Sequence, residues 1–113
     1  MRSHARAVVI GGGVGGASIL YWLARLGWKD LVLVERSRVT SGSTFHSAGL
    51  VGQLRGSLSL TRMMTNSVDL YRSLKDEVGR ETGWHEVGSL RLASSQERME
   101  ELDRKSTRLN SSH

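Results

Sequence analysis

Two sets of residues in this chain could do chemistry. Val8-Val9-Ile10 runs into Gly11-Gly12-Gly13-Val14-Gly15-Gly16, and a second apolar run, Leu31-Val32-Leu33-Val34, ends in Glu35. Gly11, Gly13 and Gly16 have the spacing of a phosphate-cradling turn. Gly11 allows the turn, Gly13 lets a pyrophosphate approach the backbone, and Gly16 lets the following helix pack against the strand. Amides at the start of that helix, together with its positive dipole end, would hold phosphate oxygens. Glu35 stands 19 residues past Gly16, about where a carboxylate accepts both ribose hydroxyls of an adenosine. The simpler reading is a solvated strand end. The order strand, glycines, helix, strand, acid favours a dinucleotide site.

The elements that must position these groups follow from pattern. Ala17 to Leu26 reads as a helix with Gly27 placed to end it, and Trp28-Lys29-Asp30 is a short connection into the second strand. Residues 6–35 therefore form a βαβ unit, and the fold class is α/β.

Composition narrows the alternatives. The chain has 113 residues, enough for one small domain at most, with 13 glycines, no proline and no cysteine. Disulfides, thiolate catalysis and cysteine-based metal sites are excluded within this stretch. His4, His46, His85 and His113 are scattered, without metal-ligand spacing. The net charge of +5 is dispersed, and no basic helix is interleaved with aromatics, which argues against a nucleic-acid partner. The basic start, residues 1–6, leads into an apolar run that breaks at Gly11, too short for a signal core or a membrane span. A reducing aqueous compartment is expected: the cytoplasm in a bacterium, the mitochondrial matrix in a eukaryote.

Arg36 to Gly56 is a long stretch rich in serine, threonine and glycine, leaving the sheet edge where a dinucleotide would lie. An ordinary solvated loop is the alternative. From Ser59 a helix is predicted, with Leu60, Met63, Met64, Leu70, Tyr71, Leu74 and Val78 on one face and Gly79 at its end. Thr82 to Glu86 is a connection, and Val87 to Ala93 is predicted as a strand. Ser94 and Glu97 form a capping box opening a helix that includes Met99 and Leu102. His85, beside Trp84 and Glu86, reads as structural or solvated, since sequence neighbours do not face each other. Residues 103–113 lack apolar periodicity and look like the translation of a sequencing-library adapter. They are expected to be a non-native tail to the domain part at 6–102. Three of the 16 basic and one of the 11 acidic residues lie in that tail, so the remainder carries +3.

From Ala7 to about Leu102 the chain resembles the glycine/D-amino-acid oxidase-like flavoproteins, and within them dimethylglycine and sarcosine dehydrogenases. Two stretches carry the resemblance: Glu35-Arg36 followed by Ser41-Gly42-Ser43-Thr44-Phe45-His46-Ser47-Ala48-Gly49-Leu50, and Thr82 through Ser95. The resemblance implies the N-terminal part of a doubly wound, Rossmann-like domain binding flavin adenine dinucleotide (FAD), with Leu90 to Ala93 starting a substrate-side sheet. Val14 and Gly15 would lie at the pyrophosphate. Glu35 would hold the adenosine ribose with Arg36 beside it. Gly42, Ser43, Thr44, Phe45, His46, Ser47, Ala48, Gly49 and Leu50 would line the rest. His46 matches the family histidine attached to the flavin 8α carbon; a packing or hydrogen-bonding histidine is the alternative. Phe45 replaces the expected Trp and keeps an aromatic wall.

The implied reaction is oxidation of an N-methylated or secondary amine of amino-acid type, with tetrahydrofolate and an electron acceptor as further partners of the whole protein. Rivals are another flavoprotein amine or hydroxy-acid oxidase, and a regulatory relative without catalysis. No catalytic acid, base or substrate clamp is assigned within the chain, which is expected to be an unstable, inactive fragment when alone.

Overall fold

The computed structural model describes residues 3–111. The chain divides into two compact units, Met1–Gly49 and Leu50–His113.

In the first unit, strand β1 (Ala7–Ile10) leads through the glycine turn to helix α1 (Val14–Arg25), which returns to strand β2 (Leu31–Val34). The strands pair in parallel, with Ala7 opposite Leu31 and Ile10 opposite Val34. Parallel neighbours need a crossover, and α1, packed on both strands, supplies it. The ladder extends beyond the strands through Arg6 N–H to Asp30 C=O at 2.9 Å and Gly11 N–H to Val34 C=O at 2.8 Å. Helix α1 ends where its pattern ends. Trp28 N–H reaches Leu23 C=O and Gly27 N–H reaches Ala24 C=O, both at 3.0 Å, satisfying the last carbonyls. Val9 is the only buried apolar residue of this unit among those described, and Ile10 is 87% exposed. A two-stranded sheet covers little of its own apolar surface.

In the second unit, helix α2 (Leu58–Val78) is capped by Ser57, whose Oγ accepts the Leu60 amide at 3.3 Å. It ends at Gly79, as predicted. Its buried face differs from the predicted stripe. Thr61, Thr65 and Val68 are buried, whereas Leu60, Met63 and Val78 are exposed. Burial of Thr61 is tolerated because its Oγ1 accepts the Arg55 amide at 3.2 Å and donates to the Arg55 carbonyl at 3.4 Å.

The strand predicted at 87–93 does not form. Val87, Leu90 and Leu92 are at least 82% exposed, and no ladder partner lies beside them among the described residues. Alternation suits a strand, but a strand exists only when another main chain accepts its hydrogen bonds. The connection before it is tied to α2 instead. Tyr71 stacks on Trp84 with ring centroids 5.6 Å apart, and Arg72 pairs with Asp69 and Glu86.

Helix α3 (Gln96–Ser111) packs on α2. Its cap is Ser95 rather than Ser94, since Ser95 Oγ accepts the Arg98 amide at 3.2 Å. Nor does the helix stop at Leu102. It runs on through residues 103–111, with Lys105 and Arg98 both paired to Glu101.

Candidate functional site

The glycine turn is closed by groups reaching it from several places in the first unit. Gly11 has φ +104°, which only glycine adopts without strain, and it turns the chain from β1 toward α1. A β-carbon on Gly16 would overlap the Gly11 carbonyl oxygen and lie 3.3 Å from Val9 Cγ1. Helix α1 therefore starts as close to β1 as the spacing implied.

Gly12 is buried, and its amide donates to Glu35 Oε2 at 2.7 Å. A β-carbon on Gly12 would meet Glu35 Cβ, Cγ and Oε2 at 3.3 Å, so the carboxylate lies directly against this backbone. The other oxygen, Oε1, accepts the Ser37 amide at 3.0 Å. These bonds hold the Glu35 carboxyl below the usual carboxylate range, the Gly12 amide acting most strongly and Arg36 contributing a smaller attraction. Glu35 is thus an ionised acceptor at the mouth of the turn.

Helix α1 opens without a capping side chain of its own, its N-cap being Gly13. The first amides of a helix have no partner inside it. One of them, Val14 N–H, donates to Thr44 Oγ1 at 2.9 Å across thirty positions of sequence. The β-carbon that Gly13 lacks would lie 2.9 Å from that same oxygen. Gly15 has open space where a side chain would begin, leaving its backbone approachable.

The segment after β2 is fastened at its start as well. Thr40 N–H donates to Gly12 C=O at 2.9 Å, with Thr40 itself at φ +69°, an unusual conformation for a β-branched residue. From Gly42 the backbone forms consecutive four-residue turns: Phe45 N–H to Gly42 C=O, His46 N–H to Ser43 C=O, and Ser47 N–H to Thr44 C=O, at 3.1–3.2 Å. Ser47 Oγ accepts the Gly49 amide at 3.3 Å. His46 is exposed, its ring edge-on to Phe45 with centroids 5.4 Å apart and planes at 82°.

The structure therefore brings together Gly11, Gly13, Val14, Gly16, Glu35 and Thr44. Among the described residues, no hydrogen bond joins the side chains of Arg36, Ser43 or His46 to the turn. Leu50 falls in the second unit and is exposed. Gly12 and Thr40, which the G-x-G-x-x-G spacing does not single out, hold the segment to the turn; the run of three glycines is the sequence signal for Gly12. The donor set suits a dinucleotide. Helix-start amides and the open backbone at Gly15 would take pyrophosphate oxygens, and an ionised carboxylate would take ribose hydroxyls.

The family of FAD-dependent oxidoreductases known as DAO matches residues 6–113. The chain belongs to that family. Rat mitochondrial dimethylglycine dehydrogenase is 41% identical over 109 residues, which cover 96% of this chain and 13% of that protein. Human mitochondrial sarcosine dehydrogenase is 45% identical over 108 residues, 90% of this chain and 11% of its own. The mouse mitochondrial pyruvate dehydrogenase phosphatase regulatory subunit is 40% identical over 108 residues, 96% of this chain and 12% of its own. The chain thus spans 11–13% of these curated relatives. The crystal structure of L-proline dehydrogenase from P. horikoshii superposes with a TM-score of 0.75 at 26% identity, covering 98% of this chain and 29% of that one. The parallel α/β start of this flavoprotein fold is shared. No helix among the described residues is long and apolar enough to cross a membrane.

Proposed function

We propose that this chain is the dinucleotide-holding part of an enzyme that oxidises the C–N bond of an N-methylated or secondary amino acid such as dimethylglycine or sarcosine, with FAD carried covalently on His46. Glu35 holds the adenosine ribose with Arg36 beside it. The pyrophosphate lies at Val14 and Gly15, with Gly13 letting it approach, on a turn that Gly11 allows and that Gly16 packs against the strand; Gly42 to Leu50 line the remainder. The observation that carries the reading is the Glu35 carboxylate lying 2.7 Å from the Gly12 amide, ionised and at the mouth of a turn whose next amides begin a helix.

When bound, the flavin supplies the acceptor for a hydride from the substrate carbon next to nitrogen. Tetrahydrofolate and a separate electron acceptor would be the further partners of the whole protein. The residues of this chain bind and orient. The Glu35 charge fixes one end of the dinucleotide and the α1 amides its middle.

The test uses the whole flavoprotein. Denatured protein should retain flavin absorbance on the polypeptide, with loss of that signal in His46→Ala, and the amine substrates should reduce the flavin. Release of all flavin on denaturation removes the covalent claim. Failure of every N-methylated amino acid to reduce it removes the substrate claim.

A second reading, a regulatory protein that kept the fold without the chemistry, draws on the 40% identity to a phosphatase regulatory subunit. Bound flavin that no amine reduces would favour it.

We propose further that residues 6–102 belong to the flavoprotein and 103–113 are an adapter-derived tail. Genomic sequence encoding those last eleven residues in frame would overturn the tail.

A further inference from the structure

The Thr44 hydroxyl occupies the Val14 amide, and His46 follows two positions later in the same run of turns. Helix α1 lacks a capping side chain because Gly13 precedes it, so the acceptor comes from a distant loop. Three consecutive hydrogen bonds between residues 42 and 47 make the backbone around Thr44 one unit, and Thr44 C=O itself takes the Ser47 amide. A second fastening, Thr40 N–H to Gly12 C=O, holds the beginning of the segment. Among the described residues, the Thr44 hydroxyl is the one side chain of residues 41–50 that ties this loop to the glycine turn.

We infer that Thr44 is a positioning residue for flavin attachment, its Oγ1 tying to the start of helix α1 the turn that carries His46. The inference rests on the proposed covalent role of His46. Attachment joins a ring nitrogen of His46 to the 8α carbon. The imidazole N–H proton and one methyl proton leave their atoms, the electron pair passes to the ring system, and dioxygen removes two electrons and two protons as hydrogen peroxide. Such a bond forms only from a close, aligned approach, and its rate depends on how tightly the nucleophile is held. Freeing Thr44 leaves the glycine turn and Glu35 in place but lets the His46 turn swing about its remaining fastening at Thr40. Dinucleotide binding and bond formation should therefore separate.

The experiment follows attachment in whole flavoprotein prepared without flavin and mixed with saturating FAD in air. Total bound flavin is measured on the native protein, and the covalent fraction after denaturation. Compared per bound flavin at saturation, Thr44→Val, which keeps the shape and removes the acceptor, should attach FAD about tenfold more slowly. Thr44→Ser should recover most of the rate, since its hydroxyl reaches the same amide. Thr44→Ala serves as the second removal variant. Attachment at the unaltered rate in both removal variants overturns the inference, as does a serine variant as slow as valine. Removal variants that fold but bind no flavin at saturation also overturn it, because the hydroxyl would then serve binding itself. Should the unaltered protein release all its flavin, the reading of His46 fails first, and that result is distinct from any comparison among the Thr44 variants.

Discussion

The carbonyl oxygen of Gly11 fills the space that a β-carbon on Gly16 would need. Strand and helix are thus held together across the turn by an absence of side chain. Gly16→Ala should force the start of α1 away from β1, costing about 1–3 kcal/mol. Gly15→Ala, facing open space, should leave stability nearly unchanged. Thermal unfolding of the two variants, with flavin content measured alongside, checks the contrast. Equal losses would mean that the close approach does not hold in solution.

Glu35 offers each oxygen to a different amide, Oε2 to Gly12 and Oε1 to Ser37. Glutamine is therefore a poor mimic, because its NH2 group must face one of these donors whichever way it turns. Glu35→Gln in a His46→Ala background, where flavin is held without a covalent bond, should weaken FAD binding roughly tenfold. Titration of the apoprotein with FAD, followed by flavin fluorescence, provides the measurement. Wild-type affinity in the glutamine variant would show that neither bond matters for the cofactor.

The same carboxylate gives a pH dependence of definite sign. Its native pKa is lowered, chiefly by the Gly12 amide and then by Ser37. The stabilisation it provides is complete above the ordinary glutamate value of about 4.3 and disappears as pH falls through the lowered native pKa. Flavin retention in the His46→Ala background should accordingly hold from neutral pH into the ordinary glutamate range and be lost only as pH falls through the lowered native pKa. The Glu35→Gln variant should lack that component of the acid loss. An acid limb of identical depth in both proteins would assign it to other carboxylates.

Thr40 carries a left-handed backbone that suits asparagine better than a β-branched residue. Its amide bond to Gly12 does not involve the side chain, so Thr40→Asn should keep the fastening and relieve strain worth about 1 kcal/mol. A rise in the temperature of flavin release is expected; a fall would show that the threonine side chain contributes something the backbone geometry does not reveal.

Many large apolar side chains among the described residues of the 113-residue chain are exposed to water. Val9 and Val68 are the buried apolar residues among those described, while Ile10, Leu90 and Leu92 are largely exposed. A core this small does not offset chain entropy. The isolated chain should melt without a cooperative transition and should not take up stoichiometric FAD. A sharp calorimetric transition with one bound FAD would refute this.

The sequence by itself determined what depends on neighbours along the chain. The βαβ start, Gly11 at the turn, Gly16 against the strand, Gly79 at the end of α2 and Glu35 at the turn's mouth all follow from local spacing and backbone conformation. Tertiary structure decided what needs a partner from elsewhere. Val87 to Ala93 alternates like a strand yet finds no ladder partner among the described residues, and Thr61 and Thr65 lie buried in place of Leu60 and Met63. Gly12 became the seat of Glu35, and Thr44 the cap of α1, across 23 and 30 positions. Spacing can prescribe a turn or a helix end because their hydrogen bonds close within a few residues. A ladder, a buried face or a distant cap depends on which other segment arrives, and no local pattern contains that.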